Sequence, residues 1–167
     1  HEKFYNFSLV TVYQIRYNKF KKQTVLNCSE NLNLAENDMS LEITLKPMTA
    51  EMYHAFFQEY ENDMDLYLDK NDYFEYVYEK SKVDAYIQRQ IDLNRQPFAI
   101  MYGDEMVGEL KIYDIVIDKS ATLGITMKNR NYKDKGFGTR AEQLAIEYVF
   151  YQLNIPVLNA DCILSNT

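Results

Sequence analysis

The stretch from Thr122 to Leu164 constrains the fold more than any other part of the chain. Residues 122–127 alternate as a strand. From 138 to about 153 apolar residues recur at helical spacing, with Ala141, Leu144, Ala145, Tyr148 and Val149 on one face, and Pro156 opens a further strand that runs to about 164. A strand, a helix and a strand in this order let the last strand lie parallel to its predecessor. Upstream, residues 97–102 and 106 to about 117 read as two strands joined through the turn Gly103-Asp104-Glu105. The expected class is α/β in the broad (α+β) sense: a mixed, mostly antiparallel sheet flanked by helices.

The remaining elements fit around that unit. A strand at 41–45 stops at Pro47, and Thr49 is placed to cap a helix that buries Met52, Tyr53, Phe56, Phe57 and Tyr60. A short helix is expected at 72–79. Ser81, with Asp84 three residues on, reads as a capping-box variant opening a helix that buries Val83, Ile87 and Ile91. Residues 1–38 differ from the rest. Phe7, Leu9, Thr11, Tyr13, Ile15 and Tyr17 alternate with Ser8, Val10, Val12, Gln14 and Arg16, and a second short strand at 24–28 completes a hairpin. The organisation expected is an N-terminal extension, 1–38, followed by a core, 39–167.

Charge narrows the partners. With 18 Lys and Arg against 25 Asp and Glu, the net charge of −7 argues against general nucleic-acid binding. The excess is concentrated: seven acids between Glu59 and Glu75, opposed by Lys70, leave that segment at −6. Such a loop would attract a polycation, or would be an ordinary solvated surface. Tyr60, Tyr67, Tyr73 and Tyr76 lie in or just after it and would add cation–π contacts or simply pack. No apolar run reaches the roughly 18 residues of a membrane helix, and no signal peptide is visible. The chain opens on His1, as a fragment or tag remnant would. Cys28 and Cys162 form no zinc or redox motif, His54 reads as an ordinary packing or surface residue, and a cytoplasmic setting is expected.

The chemistry is concentrated in residues 127–140, which join a strand to the amphipathic helix. The first amides of a helix lack intrahelical partners and sit at the positive end of its dipole. Gly136 and Gly138 admit a ligand close to the backbone, and Lys128, Arg130, Lys133, Lys135 and Arg140 stand against Asp134 alone. Together they make an anion site suited to a diphosphate. A Rossmann fingerprint would need a third glycine, and a P-loop would need Gly-Lys-Ser/Thr where Gly138-Thr139-Arg140 stands.

The run Lys133-Asp134-Lys135-Gly136-Phe137-Gly138 resembles the signature of the GNAT acetyltransferases, with lysine where Gln or Arg is usual. The wider run 132–141 and the opening Leu45-Lys46-Pro47-Met48-Thr49 are similar to the ribosomal-protein and spermidine acetyltransferase branch, and the likeness covers roughly 41–166. The resemblance implies an acetyl-CoA-dependent N-acetyltransferase acting on a primary amine of a cationic small molecule or a protein N-terminus. It implies that the amides from Lys135 through Gly136, Phe137 and Gly138 to Thr139 hold the coenzyme A pyrophosphate. Lys128 and Lys133 would stand beside them, Met127 would offer main-chain groups to the pantetheine arm, and Asn166 would contact the cofactor. The family's usual glutamate base falls on Thr122, so Glu109 and Asp114 on the preceding strand are the substitute candidates. Family members continue past the Asn166 position into a helix and two strands, so a C-terminally truncated core is expected. Residues 1–38 are then either a plain extension, the preferred expectation, or a replacement for those strands. An alternative is a coenzyme A-binding protein without turnover, and a weaker one is an interaction domain whose basic loop binds another anion. A homodimer stays open.

Overall fold

The computed structural model describes residues 10–18, 23–27 and 42–163 apart from residue 68, with side chains described from 42 to 160, residue 66 excepted. Among the described residues seven strands form one sheet: β1 (Val10–Asn18), β2 (Gln23–Asn27), β3 (Ile43–Pro47), β4 (Gln96–Tyr102), β5 (Glu105–Val116), β6 (Ser120–Met127) and β7 (Val157–Ile163), in the spatial order β2-β1-β7-β6-β5-β4-β3. Every neighbouring pair is antiparallel except β6 and β7, which are parallel, as the strand–helix–strand order requires.

Helix α1 (Ala50–Gln58) starts where expected, with the Thr49 hydroxyl accepting from the Met52 amide at 3.2 Å. Helix α2 (Lys80–Asp92) begins one residue before Ser81 and has no side-chain cap, because the Asp84 carboxylate bonds Lys80 and His54 instead. Its buried face carries Val83 and Gln90, whereas Ile91 is exposed, a correction to the expected stripe. Residues 72–79 are not a helix. A 3-10 turn at Lys70–Asp72 leads into a segment, 73–79, extended at Tyr73 and Glu79 and without regular structure, from which Phe74 and Tyr76 reach one pocket.

Helix α3 (Phe137–Glu147) packs on β3, β5 and β6. Ala141 and Ala145 face a core that includes Ile43, Ile100, Leu110, Ile112 and Leu123. The helix expected to run to 153 changes to a π turn at Tyr148–Gln152, which brings the adjacent Val149 and Phe150 both inside.

The N-terminal hairpin joins the main sheet. Strand β1 pairs antiparallel with the whole length of β7, from Val10↔Ile163 to Arg16↔Val157, and β2 pairs outside β1. Of the two readings open for residues 1–38, this pairing is the one that a replacement of the family's further strands requires.

Candidate active site

Strand β5 positions the most unusual side chain. In the run Val107-Gly108-Glu109-Leu110-Lys111-Ile112, Leu110 and Ile112 join the α3 core, so alternation turns Glu109 and Lys111 to the opposite face, toward α1 and α2. Glu109 is 2 % exposed. The Tyr53 hydroxyl donates to its Oε1 at 2.9 Å, and the Tyr86 hydroxyl donates to the same carboxylate, 3.0 Å from Oε2. Lys111 Nζ donates to Tyr86 Oη at 2.8 Å and lies 3.5 Å from Glu109 Oε2. A buried carboxylate is tolerable only when paired and hydrogen-bonded, and this one is both. Burial, then the Glu109 charge, raises both phenol pKa values far above their ordinary range, so Tyr53 and Tyr86 stay protonated as donors.

Above this carboxylate lies an open pocket of about 250 Å³. Its walls are aromatic: Phe56 and Phe57 from α1, Tyr60 just beyond it, Phe74 and Tyr76 from the segment 73–79, and Tyr86 from α2. The rings brace one another, with Phe57 against Tyr86 and Tyr60 against Tyr76, each edge to face at 5.2 Å. Asn62, Glu109 and Thr126 supply the polar atoms. Thr126 is the cross-strand partner of Glu109, so the pocket reaches β6 next to Met127.

There the sheet opens. Strands β6 and β7 pair at Ala121↔Leu158, Thr122↔Asn159 and Leu123↔Ala160. Beyond that point β6 runs on to Met127 against β5 and β7 runs on to Ile163 against β1, with no further pairing between the two. On the other side of β6, Gly108 allows a close approach, since a Cβ there would lie 2.8 Å from the Thr126 carbonyl oxygen.

Beyond Met127 the chain turns through a 3-10 turn, Arg130–Tyr132, to Gly136, which caps α3 in the left-handed region at φ +78°. The first turn of α3 carries no acidic residue, and a Cβ at Gly138 would meet nothing within 4 Å. Open space over unpartnered helix-start amides fits an anionic group such as a diphosphate.

This domain belongs to the acetyltransferase (GNAT) family. The family model for the acetyltransferase (GNAT) domain matches residues 42–167, and the chain belongs to that family. The chain is 26% identical over 88 residues to the uncharacterized N-acetyltransferase YnaD of Bacillus subtilis (strain 168), a match that covers 52% of this chain and 51% of that protein. It thus spans about half the length of the curated relative it matches. Among solved structures it is similar to spermidine N-acetyltransferase from Vibrio cholerae in complex with CoA and spermine (19% identity, TM-score 0.51, 68% of this chain and 66% of that one). It is also similar to RimL, a ribosomal L7/L12 α-N-protein acetyltransferase in complex with coenzyme A (17%, TM-score 0.54, 68% and 66%). At these identities the structural likeness establishes the fold.

Within this GNAT domain, the residues singled out from the sequence are distributed unevenly. Glu109 lines the pocket, whereas Asp114 is exposed, at φ +49° on an irregular stretch of β5 toward the hairpin tip. Thr122 is buried on β6 opposite Tyr113, two cross-strand pairs from Thr126 on the same face. Gly136, Gly138, Thr139 and Lys135 cluster at the start of α3, while the Phe137 ring turns inward to lie near Tyr102 at 5.0 Å, leaving its backbone to face a ligand. Asn166 lies outside the described residues.

The acidic and basic segments, which the sequence presents as two separate features, are each other's partners. Lys128, 6 % exposed, donates to Glu59 Oε2 at 2.7 Å and sits 5.2 Å over the Tyr132 ring. Lys133 pairs with Asp63 and Arg130 with Asp65, and the Glu61 amide donates to the Lys128 carbonyl at 3.0 Å. Burial works to raise the Asp63 carboxyl, but the bonds from Lys133 and from the Asp65 amide outweigh it and the net shift is downward. For Lys128, burial lowers the ammonium, yet Glu59 and the other nearby acidic groups prevail and the net shift is upward.

The sequence reading missed Tyr53 and Tyr86 as partners of Glu109. Tyr53 was visible as a core position on α1. Tyr86 falls between Val83 and Gln90 on the buried face of α2, a helical spacing that signals burial and gives no hint of a carboxylate beneath. Tyr67 and Tyr73 pack against each other at 5.6 Å, outside the pocket lining. Among the described residues no group of His, Cys, Asp and Glu is arranged to hold a metal, and no helix is long and apolar enough to cross a membrane.

Proposed function

We propose that this chain is the acetyl-transferring part of an acetyl-CoA-dependent N-acetyltransferase whose acceptor is a primary amine, cationic in water. The observation that carries this reading is the buried Glu109 at the base of an aromatic pocket that reaches β6 where β6 and β7 cease to pair. The opening, the glycine-capped start of α3 and the absence of acid in its first turn fit coenzyme A. The amides near Gly136 to Thr139 would hold its pyrophosphate, with Lys135 beside them, and Met127 would offer main-chain groups as an added strand does. The side chains of Lys128 and Lys133 are committed to carboxylates, so their share in cofactor binding requires release of those partners.

Bound acetyl-CoA supplies the acetyl group as a thioester. An alkylammonium must first lose a proton, and Glu109 is the carboxylate placed to accept it, oriented by Tyr53 and Tyr86. The freed nitrogen lone pair then forms the N–C bond at the carbonyl carbon as the C–S bond breaks, and the second nitrogen proton ends on the departing sulfur. The sum is an ammonium and a thioester giving an amide, a thiol and one proton. The division of the chain into an extension, 1–38, and a core, 39–167, belongs to this proposal, with the hairpin supplying the strands beyond β7. So does a cytoplasmic setting, on the ground that no disulfide framework is visible in the sequence.

The test is thermal stabilisation by coenzyme A and acetyl-CoA, with Gly136→Glu as control, followed by turnover with a panel of amines. A ligand that binds the native state raises the melting temperature in a concentration-dependent way. A shift lost in Gly136→Glu, together with acetylation of an amine, is the expected result. A shift without turnover favours a coenzyme A-binding protein, and no shift in the unmodified chain overturns both.

A further inference from the structure

We infer that the acceptor carries a single positive charge on an apolar body, as an arylalkylamine or a linear alkylamine does, and that polyamines are poor ligands. The inference rests on the proposed reading of the Glu109 pocket as the acceptor site.

Three observations lead to it. First, the pocket holds one carboxylate, Glu109, which already faces Lys111 at 3.5 Å and accepts from two phenols. It has room for one ammonium, and each further ammonium drawn into an aromatic enclosure would lose its water without gaining a counter-charge. Second, the acidic segment does not provide that counter-charge. Glu59, Asp63 and Asp65 are paired with Lys128, Lys133 and Arg130, and none of the seven acids of the segment lines the pocket. Glu61 and Glu75 stand in solvent, where an ion pair contributes little. Third, the walls are mainly apolar. Six rings line the pocket, Phe74 is 51 % exposed at its edge, and the neighbouring Val77 is 69 % exposed. Aromatic faces attract one cation and bury a hydrocarbon or aryl body at the same time. A chain of amines separated by short methylene runs satisfies the first property and leaves the second unused.

The experiment is calorimetric titration of the full chain with phenethylamine, hexylamine and spermidine at about 0.15 M salt, alongside acetyl-CoA turnover with each. Phenethylamine is expected to bind at least about tenfold tighter than spermidine, a difference of about 1.4 kcal/mol. Tyr76→Leu and Phe57→Leu, checked for folding by circular dichroism, are each expected to weaken phenethylamine severalfold, and Asp63→Asn to leave it unchanged. Spermidine binding as tightly as phenethylamine, or no binding of any amine, overturns the inference. If spermidine is the better substrate, acetyl transfer stands and this inference falls. If phenethylamine binds in the expected order but no amine is acetylated, the transfer reading falls and the inference falls with it as a statement about an acceptor, leaving a binding preference of the pocket.

Discussion

The two halves of the proposed site, an acceptor side and a cofactor side, are built in opposite ways. The acceptor side is made of side chains: a 2 % exposed carboxylate, two phenols raised by burial, a lysine and a wall of rings from α1, α2 and the segment after residue 72. The cofactor side is made of backbone: the edge of β6 beyond its last pair with β7, a left-handed glycine and the first amides of α3. Its cationic side chains Lys128, Arg130 and Lys133 point to the acidic segment and tie the two halves together. Specificity follows from this asymmetry. A backbone site recognises a cofactor shared by a whole family, while a side-chain site can be rebuilt for one acceptor.

Substitutions on either side put that asymmetry to the test. The largest expected effect is at Glu109→Gln, which keeps the shape and one accepting oxygen but removes the charge and the proton acceptor. Loss of a general base lowers turnover by about 100-fold or more, while thermal stabilisation by coenzyme A should persist. Asp114→Asn, on an exposed irregular stretch of β5, should leave the rate unchanged. Equal losses from both would mean that the pocket is not the acceptor side.

Next comes Gly136→Ala on the cofactor side. At φ +78° a Cβ costs about 1–2 kcal/mol, and displacement of the α3 amides should weaken coenzyme A by about tenfold, read by calorimetry. Amine binding measured without the cofactor should not change, which is the reverse of the Glu109 result.

A smaller effect is expected at the tie between the halves. Asp63 is shifted downward in the fold, so its contribution is full above pH about 4 and is lost as the pH falls through the lower folded value. Asp63→Asn should flatten the acid side of the melting-temperature profile, and the stabilisation it removes at pH 8 should vanish below the folded value. An unchanged profile would show the tie to be energetically idle.

The smallest effect is expected at Glu142 on α3, whose carboxyl is raised by burial. A raised carboxyl binds more protons in the folded state, so its ionised form lowers stability at neutral pH and the loss disappears on acidification. Glu142→Gln should therefore raise the melting temperature slightly at pH 7 and have no effect below pH about 4. A lower melting temperature at pH 7 would mean that the carboxylate has a partner.

Much of the frame was legible in the sequence. Thr49 capped its helix as expected, Ala141, Ala145 and Val149 were read as a buried face, and the parallel partner of β6 followed from a strand, a helix and a strand in sequence. Each of these rests on local periodicity or a cap, which a short window of residues carries in full. Residues 72–79 were misread for the complementary reason. Their aromatic residues suit a helix taken alone, but the walls of α1 favour irregular chain, and a partner elsewhere in the chain leaves no trace in local spacing.

The family and the candidacies of Glu109 and of the glycine-bearing junction before α3 could all be read before any fold was known. A glycine pattern at a strand–helix junction and a carboxylate inside an apolar strand are local facts. What separates Glu109 from Asp114 as candidates needed the packed chain, which surrounds Glu109 with phenols from two helices and leaves Asp114 exposed. Packing also paired the acidic loop with the basic one and set the N-terminal hairpin beside β7. Those outcomes depend on which residues distant in sequence come within about 3 Å of one another, and no window of sequence contains that information.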